Sequence, residues 1–196
     1  MEYRKLGNSG TLVSTLALGT MNFGTSETPK EEAFAQLDAF IEAGGNLIDT
    51  ADVYNGGAAE QTVGRWLAAR PRDVTDHAVI APKGRTRSGE DVNDAGTSRR
   101  HLDRALTTSL RRLGTETVDL YQLHAWDPLT PIGETLSFLD SAVRAGKIRY
   151  AGLSNFTGWQ LQLAVSTSTA LSPVPAPFSG ADTGAPVCVR VRACPG

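Results

Sequence analysis

Asp49 and Tyr54 stand five residues apart in Asn46-Leu47-Ile48-Asp49-Thr50-Ala51-Asp52-Val53-Tyr54, where a short apolar run gives way to a Gly-rich loop. If the run is a buried strand, both side chains sit at its C-terminal mouth. A phenol beside a carboxylate suits proton transfer to a substrate oxygen. A phenol ordinarily titrates about three units above neutrality, roughly 4 kcal/mol from an efficient donor at pH 7. A buried ammonium close by favours the phenolate and offsets much of that. Lys83 directly follows Ala78-Val79-Ile80-Ala81-Pro82, and the counter-ion a buried lysine needs is available in Asp49. His124, at the end of Asp119-Leu120-Tyr121-Gln122-Leu123, can donate a hydrogen bond to a carbonyl oxygen and orient it. Taken singly, these four have ordinary readings: a turn aspartate, a packing tyrosine, a solvated loop lysine, a core histidine. Their joint occurrence at successive strand ends is what points to protonation of a carbonyl oxygen as hydride reaches the carbon.

The elements that must position them are legible as alternation. Short apolar runs at 15–19, 46–49, 78–81, 118–124 and 148–154 alternate with helical windows at about 29–43, 60–69, 98–113, 132–145 and 159–166. Thr28-Pro29-Lys30-Glu31 reads as a capping box with proline at the first helical position. Leu102, Ala105, Leu106, Leu110 and Leu113 make an apolar stripe stopped by Gly114, and Ile132, Leu136, Leu139 and Val143 make another stopped by Gly146. Residues 2–6 and 11–14, around Asn8-Ser9-Gly10, read as a β-hairpin ahead of this pattern. Strand and helix alternating at this pace predict βαβ units and a parallel sheet. About five units are countable. A doubly wound sheet could stop at five, whereas a (β/α)8 barrel needs about 250 residues. Against the doubly wound reading, no G-x-G-x-x-G and no G-x-x-x-x-G-K-[ST] follows any strand. Polar residues fall instead at the ends of several strands, which is how a barrel builds its site.

Composition narrows the partners. The chain has 196 residues, 40% hydrophobic and 20% charged, with net charge −2, as expected of a globular domain large enough to bury a core. That balance predicts no nucleic-acid footprint and no membrane patch. No apolar run approaches the roughly 20 residues of a spanning helix, and no secretory signal is visible. A cytoplasmic protein is the simplest expectation. Cys188 and Cys194 match no zinc spacing, and no metal site is expected. After Ser166 the composition changes: five of the ten prolines and both cysteines fall there, with no lysine or glutamate. Residues 167–196 are expected to form a disordered Pro/Ser/Thr/Gly-rich tail after a partial barrel domain at 1–166.

With those motifs assembled, about residues 1–165 resemble the aldo-keto reductases. Leu18-Gly19-Thr20-Met21 is similar to the end of the family's first strand. Asp49-Thr50-Ala51-Asp52-Val53-Tyr54, followed by Gly57, Glu60 and Gly64, is similar to its DTA-x-x-Y signature and following helix. Asp119 to His124 and Gly146 to Phe156 are similar to its fourth- and fifth-strand motifs. The resemblance implies a (β/α)8 TIM barrel reducing aldehydes or ketones with NADP(H), bound extended and without a Rossmann fold. It implies Tyr54 as general acid, Lys83 and Asp49 as its tuning pair, and His124 as the orienting group. It further implies that Ser154 and Asn155 hold the nicotinamide carboxamide, with Asp49, Gly19, Thr20 and Met21 near the ribose and ring. Two departures stand out. Pro82 precedes the lysine where a small or polar residue is common, and the motifs of strands six to eight are not found after Ser166. The fold expected is therefore an incomplete barrel, C-terminally truncated, of about five β/α units after a hairpin. Its fifth strand is expected to be an open edge through which copies self-associate. The alternative to an NADP(H)-dependent oxidoreductase is a non-catalytic binding or regulatory subunit-like protein.

Overall fold

The turn at Asn8, Ser9 and Gly10 joins β1 (Tyr3–Lys5) to β2 (Leu12–Ser14), which pair antiparallel in the computed structural model. The structure describes residues 1–171 and 187–189. The hairpin closes one end of a sheet. Ser14 N–H donates to Asn46 Oδ1 at 2.7 Å, Tyr3 hydroxyl to Gly44 O at 2.6 Å, and Thr11 and Tyr150 hydroxyls lie 2.6 Å apart.

Beyond it, β3 (Ala17–Gly19), α1 (Lys30–Glu42), β4 (Leu47–Asp49), α2 (Ala58–Ala69), the short α3 (Arg72–Thr75), β5 (Val79–Ala81) and β6 (Lys83–Gly84) follow in turn. Then come α4 (Arg99–Leu113), β7 (Val118–Leu123), α5 (Ile132–Arg144), β8 (Ile148–Leu153), α6 (Gly158–Leu171) and β9 (Val187–Val189). β3, β4 and β5 pair in parallel, as do β6, β7 and β8. Pro82, which has no N–H, separates β5 from β6, yet its carbonyl still accepts from Gln122 N–H at 3.0 Å. The strands lie in chain order without the reversal that marks a doubly wound sheet. The doubly wound alternative is thereby set aside. No closed barrel forms among the described residues.

The two sheet faces follow from the period of two along each strand. Ile48, Ile80, Tyr121, Leu123 and Leu153 face the helices and pack with Leu37, Val63, Trp66, Leu102, Leu106, Leu136 and Leu139. Leu47, Val79, Ala81 and Leu120 face the other way, onto Leu6 and Val13 of the hairpin. The α4 stripe read from sequence is buried throughout, while in α5 Leu136 and Leu139 are buried and Ile132 and Val143 pack partly buried against the same core. Ser98 caps α4, accepting from His101 N–H at 3.3 Å, and Gly114 ends it in the left-handed region at φ 69. The capping box expected at α1 does not form. Pro29 is itself the N-cap, its ψ of 168 extended, so the helix begins one residue later than a Thr28 cap requires, and proline has no side-chain acceptor to cap it.

Two expectations about the C-terminal part change. α6 continues to Leu171, so the boundary at Ser166 falls inside a helix. The outer edge of β8 is not open at Ala151–Leu153, where β9 pairs antiparallel, Leu153 with Val187 and Ala151 with Val189. Val187-Cys188-Val189 is a β-branched run that Pro and Gly on either side obscure in the sequence. Residues 172–186 and 190–196, on which most of the tail expectation falls, lie outside the described residues. No helix among the described residues is long and apolar enough to cross a membrane.

Candidate active site

The inner face of the sheet leads directly to the site. Asp49 stands two residues beyond Leu47, Lys83 two beyond Ala81, Gln122 two beyond Leu120, and His124 two further on. Period two therefore puts Asp49, Lys83 and Gln122 on the face that the hairpin plugs lower down, one layer higher, with His124 just past the end of β7. The register agrees, since Lys83 pairs with Gln122.

Past β4 the chain stays tied to the next strand. Thr50 N–H donates to Ala81 O at 3.2 Å and Asp52 N–H to Lys83 O at 3.0 Å. A 3-10 turn, Tyr54–Gly57, then folds the tyrosine back over the strand ends. Three successive residues after Tyr54 have positive φ: Asn55 at 52, Gly56 at 62 and Gly57 at 95. Asparagine tolerates that region better than most residues. Here its side chain is also anchored, donating to Met21 O at 2.6 Å and Phe23 O at 3.0 Å.

Lys83 is the hub and is only 6% exposed. Its ammonium donates to Asp49 Oδ2, to the Tyr54 hydroxyl oxygen at 3.2 Å and to Thr50 O at 3.3 Å. Asp49 Oδ1 accepts from Gln122 Nε2 at 3.1 Å, so the carboxylate is held from both sides. The His124 ring meets the Tyr54 ring edge-on, 5.8 Å between centroids at 82°. Burial, then the Lys83 and Arg85 charges, hold the His124 imidazole below the usual histidine range against the pull of Asp49, so it is neutral at pH 7. Its Nδ1 lies 3.4 Å from Thr86 Oγ1.

The other sequence-derived residues surround this hub. Ser154 and the exposed Asn155 follow β8, with Asn155 Nδ2 donating to His124 O at 2.8 Å and to Ser154 Oγ at 3.2 Å. Thr20 is fully buried, its hydroxyl and N–H both on Asp49 O at 3.0 Å, which leaves Gly19 and the exposed Met21 at the surface of the mouth. An added Cβ at Gly19 would meet nothing within 4 Å. The two Asn155 bonds use both of its amide hydrogens, so the Ser154 hydroxyl hydrogen and Asn155 Oδ1 are left as a donor and an acceptor, a pair that fits the carboxamide end of a nicotinamide cofactor. An aromatic cluster forms beyond the ends of β7 and β8, where Trp126 packs edge-on against Phe156 and Trp159, each at 5.5 Å.

Sequence reasoning missed Gln122, although an amide in the middle of an apolar strand was a signal of a buried polar contact. It also missed Arg112. This helix residue reaches across 60 positions to Asp52 O at 2.7 Å, and binds Glu60 Oε2 at 3.1 Å and Gly56 O at 3.3 Å. Burial, then the neighbouring Glu60, push the Asp52 carboxyl up to about 7, while Arg112 and two backbone N–H groups pull it down.

A sequential α/β wall with this hub at its strand ends defines an α/β protein with an acid–ammonium–phenol site. The chain belongs to the aldo/keto reductase family, whose sequence model matches residues 15–176. It is similar to the uncharacterised oxidoreductase YrpG of Bacillus subtilis, with 39% identity over 170 residues covering 82% of this chain and 51% of that protein. It is 37% identical to norsolorinic acid reductase B of Aspergillus parasiticus over 176 residues, 83% of this chain and 46% of the relative. An aryl-alcohol dehydrogenase of Pestalotiopsis microspora is 36% identical over 172 residues, 81% of this chain and 44% of the relative. The chain thus spans about half the length of the curated relatives it matches.

Proposed function

We propose that this chain carries the proton-transfer centre of an NADP(H)-dependent oxidoreductase that reduces aldehydes or ketones to alcohols. We read its parallel strands as successive staves of a (β/α)8 barrel. The observation that carries the proposal is the Lys83 ammonium bonded at once to Asp49 Oδ2 and to the Tyr54 hydroxyl. The family supports the choice of cofactor and of reaction.

Tyr54 presents its hydroxyl at the mouth, and neutral His124 offers a ring N–H to the substrate carbonyl oxygen. When bound, the cofactor supplies hydride to the carbonyl carbon. Tyr54 gives its proton to the oxygen, and the phenolate left behind is stabilised by Lys83, whose own charge Asp49 balances. The cation is in place before the reaction, so little reorganisation accompanies the charge change. Ser154 and Asn155 would hold the carboxamide, and Gly19, Thr20 and Met21 would border the ribose and ring. The names of the relatives direct the substrate panel toward norsolorinic acid and the aldehydes that correspond to aryl alcohols.

The test uses the purified chain with NADPH and that panel. Binding is expected to quench tryptophan fluorescence, with Trp126 two residues beyond His124, and Tyr54→Phe is expected to lower kcat by about 10²–10⁴-fold while cofactor binding persists. A folded chain that neither binds NADPH nor reduces any member of the panel overturns the reading.

A further inference from the structure

The Tyr54 turn is left-handed at three consecutive residues, two of them glycines free to adopt many conformations, so contacts from outside the turn fix the one it holds. Asn55 grips one side through the first loop. On the other side lies the Arg112 guanidinium, carried by α4. Its Nη1 donates to Asp52 O, two residues before the tyrosine, and its Nη2 to Gly56 O, two residues after it. Gly57 makes room for it: a Cβ there would fall 2.1 Å from Arg112 Cζ and 2.5 Å from Nε. Glu60, with no exposed surface, fixes the guanidinium from below. The same α4 backbone is pressed against α2, since a Cβ on Gly64 would lie 2.3 Å from Arg112 O.

We propose that Arg112, oriented by Glu60, is a positioning residue for the Tyr54 hydroxyl, acting through the carbonyls on either side of the tyrosine rather than by touching substrate. A planar fork is what two carbonyls and a carboxylate require, and a lysine ammonium lacks it. The proposal rests on the reductase reading for its kinetic consequence but not for its geometric one.

Arg112→Lys keeps the charge opposite Glu60 and removes the fork. Arg112→Met combined with Glu60→Gln removes both buried charges together, so neither is left unpaired. In both, kcat is expected to fall about 10- to 100-fold, as misplacement of a reacting group by about 1 Å does, with NADPH affinity and KM within about two-fold of wild type. The readout independent of turnover is the 13C signal of the Tyr54 ring. It is expected to shift on Lys83→Met in an otherwise wild-type chain and to lose that response in the Arg112→Lys background. Folded variants with unchanged kcat overturn the proposal. In a chain without turnover, which would overturn the reductase reading, an undiminished Tyr54 response in Arg112→Lys overturns this one and a lost response supports it.

Discussion

At Asp49 and Lys83 the two members of one ion pair sit in unequal solvent. The lysine side chain is 7% exposed and the carboxylate 26%. Removing the carboxylate charge therefore strands an ammonium with almost no water, whereas removing the ammonium leaves a carboxylate that reaches water and still accepts from Gln122. Asp49→Asn is expected to cost about 3–5 kcal/mol, the range for breaking a buried pair. Lys83→Met is expected to cost on the order of 1–2 kcal/mol, because its apolar stem keeps the packing. Urea unfolding at pH 7 measures both, and equal losses would contradict the inequality. This asymmetry also fits the roles assigned to the pair. In the proposed mechanism the ammonium is the group that must stay charged beside the phenol, and the carboxylate would keep it so.

Among the elements, α2 and α4 approach most closely where Gly64 meets the α4 backbone. Any side chain at 64 pushes α4 away, and Arg112 with it. Gly64→Ala is expected to destabilise the fold by about 1–3 kcal/mol, the usual cost of overpacking, despite the better helix propensity of alanine. A thermal melt that shows no loss would mean the helices separate freely. Most elements were legible because apolar periodicity and glycine stops coincide with them. The stripe at Leu102–Leu113 recurs as the buried face of α4, and that at Ile132–Val143 as the core-facing side of α5, buried at its centre and half-buried at its ends. What was not legible depends on contacts distant in sequence. Arg112 reads as one more basic residue in Leu110-Arg111-Arg112-Leu113 until α4 is laid against the Tyr54 turn. The threonine cap at α1 was a local signal overridden by the proline beside it, and β9 exists only through its pairing with β8.

For the molecule as a whole, the parallel wall places a polar layer of Asp49, Lys83 and Gln122 above an apolar layer of Leu47, Ala81 and Leu120. Behind that wall a second acidic group, Asp52 and Glu60 around Arg112, is almost fully buried. The folded molecule therefore carries carboxyls that resist ionisation, with a definite consequence for stability against pH. Asp52 titrates at about 7 in the folded chain, against an ordinary value near 4 when unfolded. Between those values the unfolded carboxyl has lost its proton and the folded one keeps it. The native state then binds more protons, and stability falls as pH rises from about 4 to about 7. A shift of about three units bounds the loss at on the order of 4 kcal/mol, fully developed above pH 7. Glu60, also raised by burial, acts in the same sense, while Asp38 and Asp127, held low by hydrogen bonds, act in the opposite one. The net curve thus mixes signs, and the difference between two proteins isolates Asp52. Asp52→Asn keeps the shape and cannot ionise, so its Tm is expected to match wild type near pH 4 and to exceed it increasingly up to pH 8. Parallel Tm-against-pH curves for the two would show instead that the Arg112 guanidinium keeps Asp52 ionised throughout.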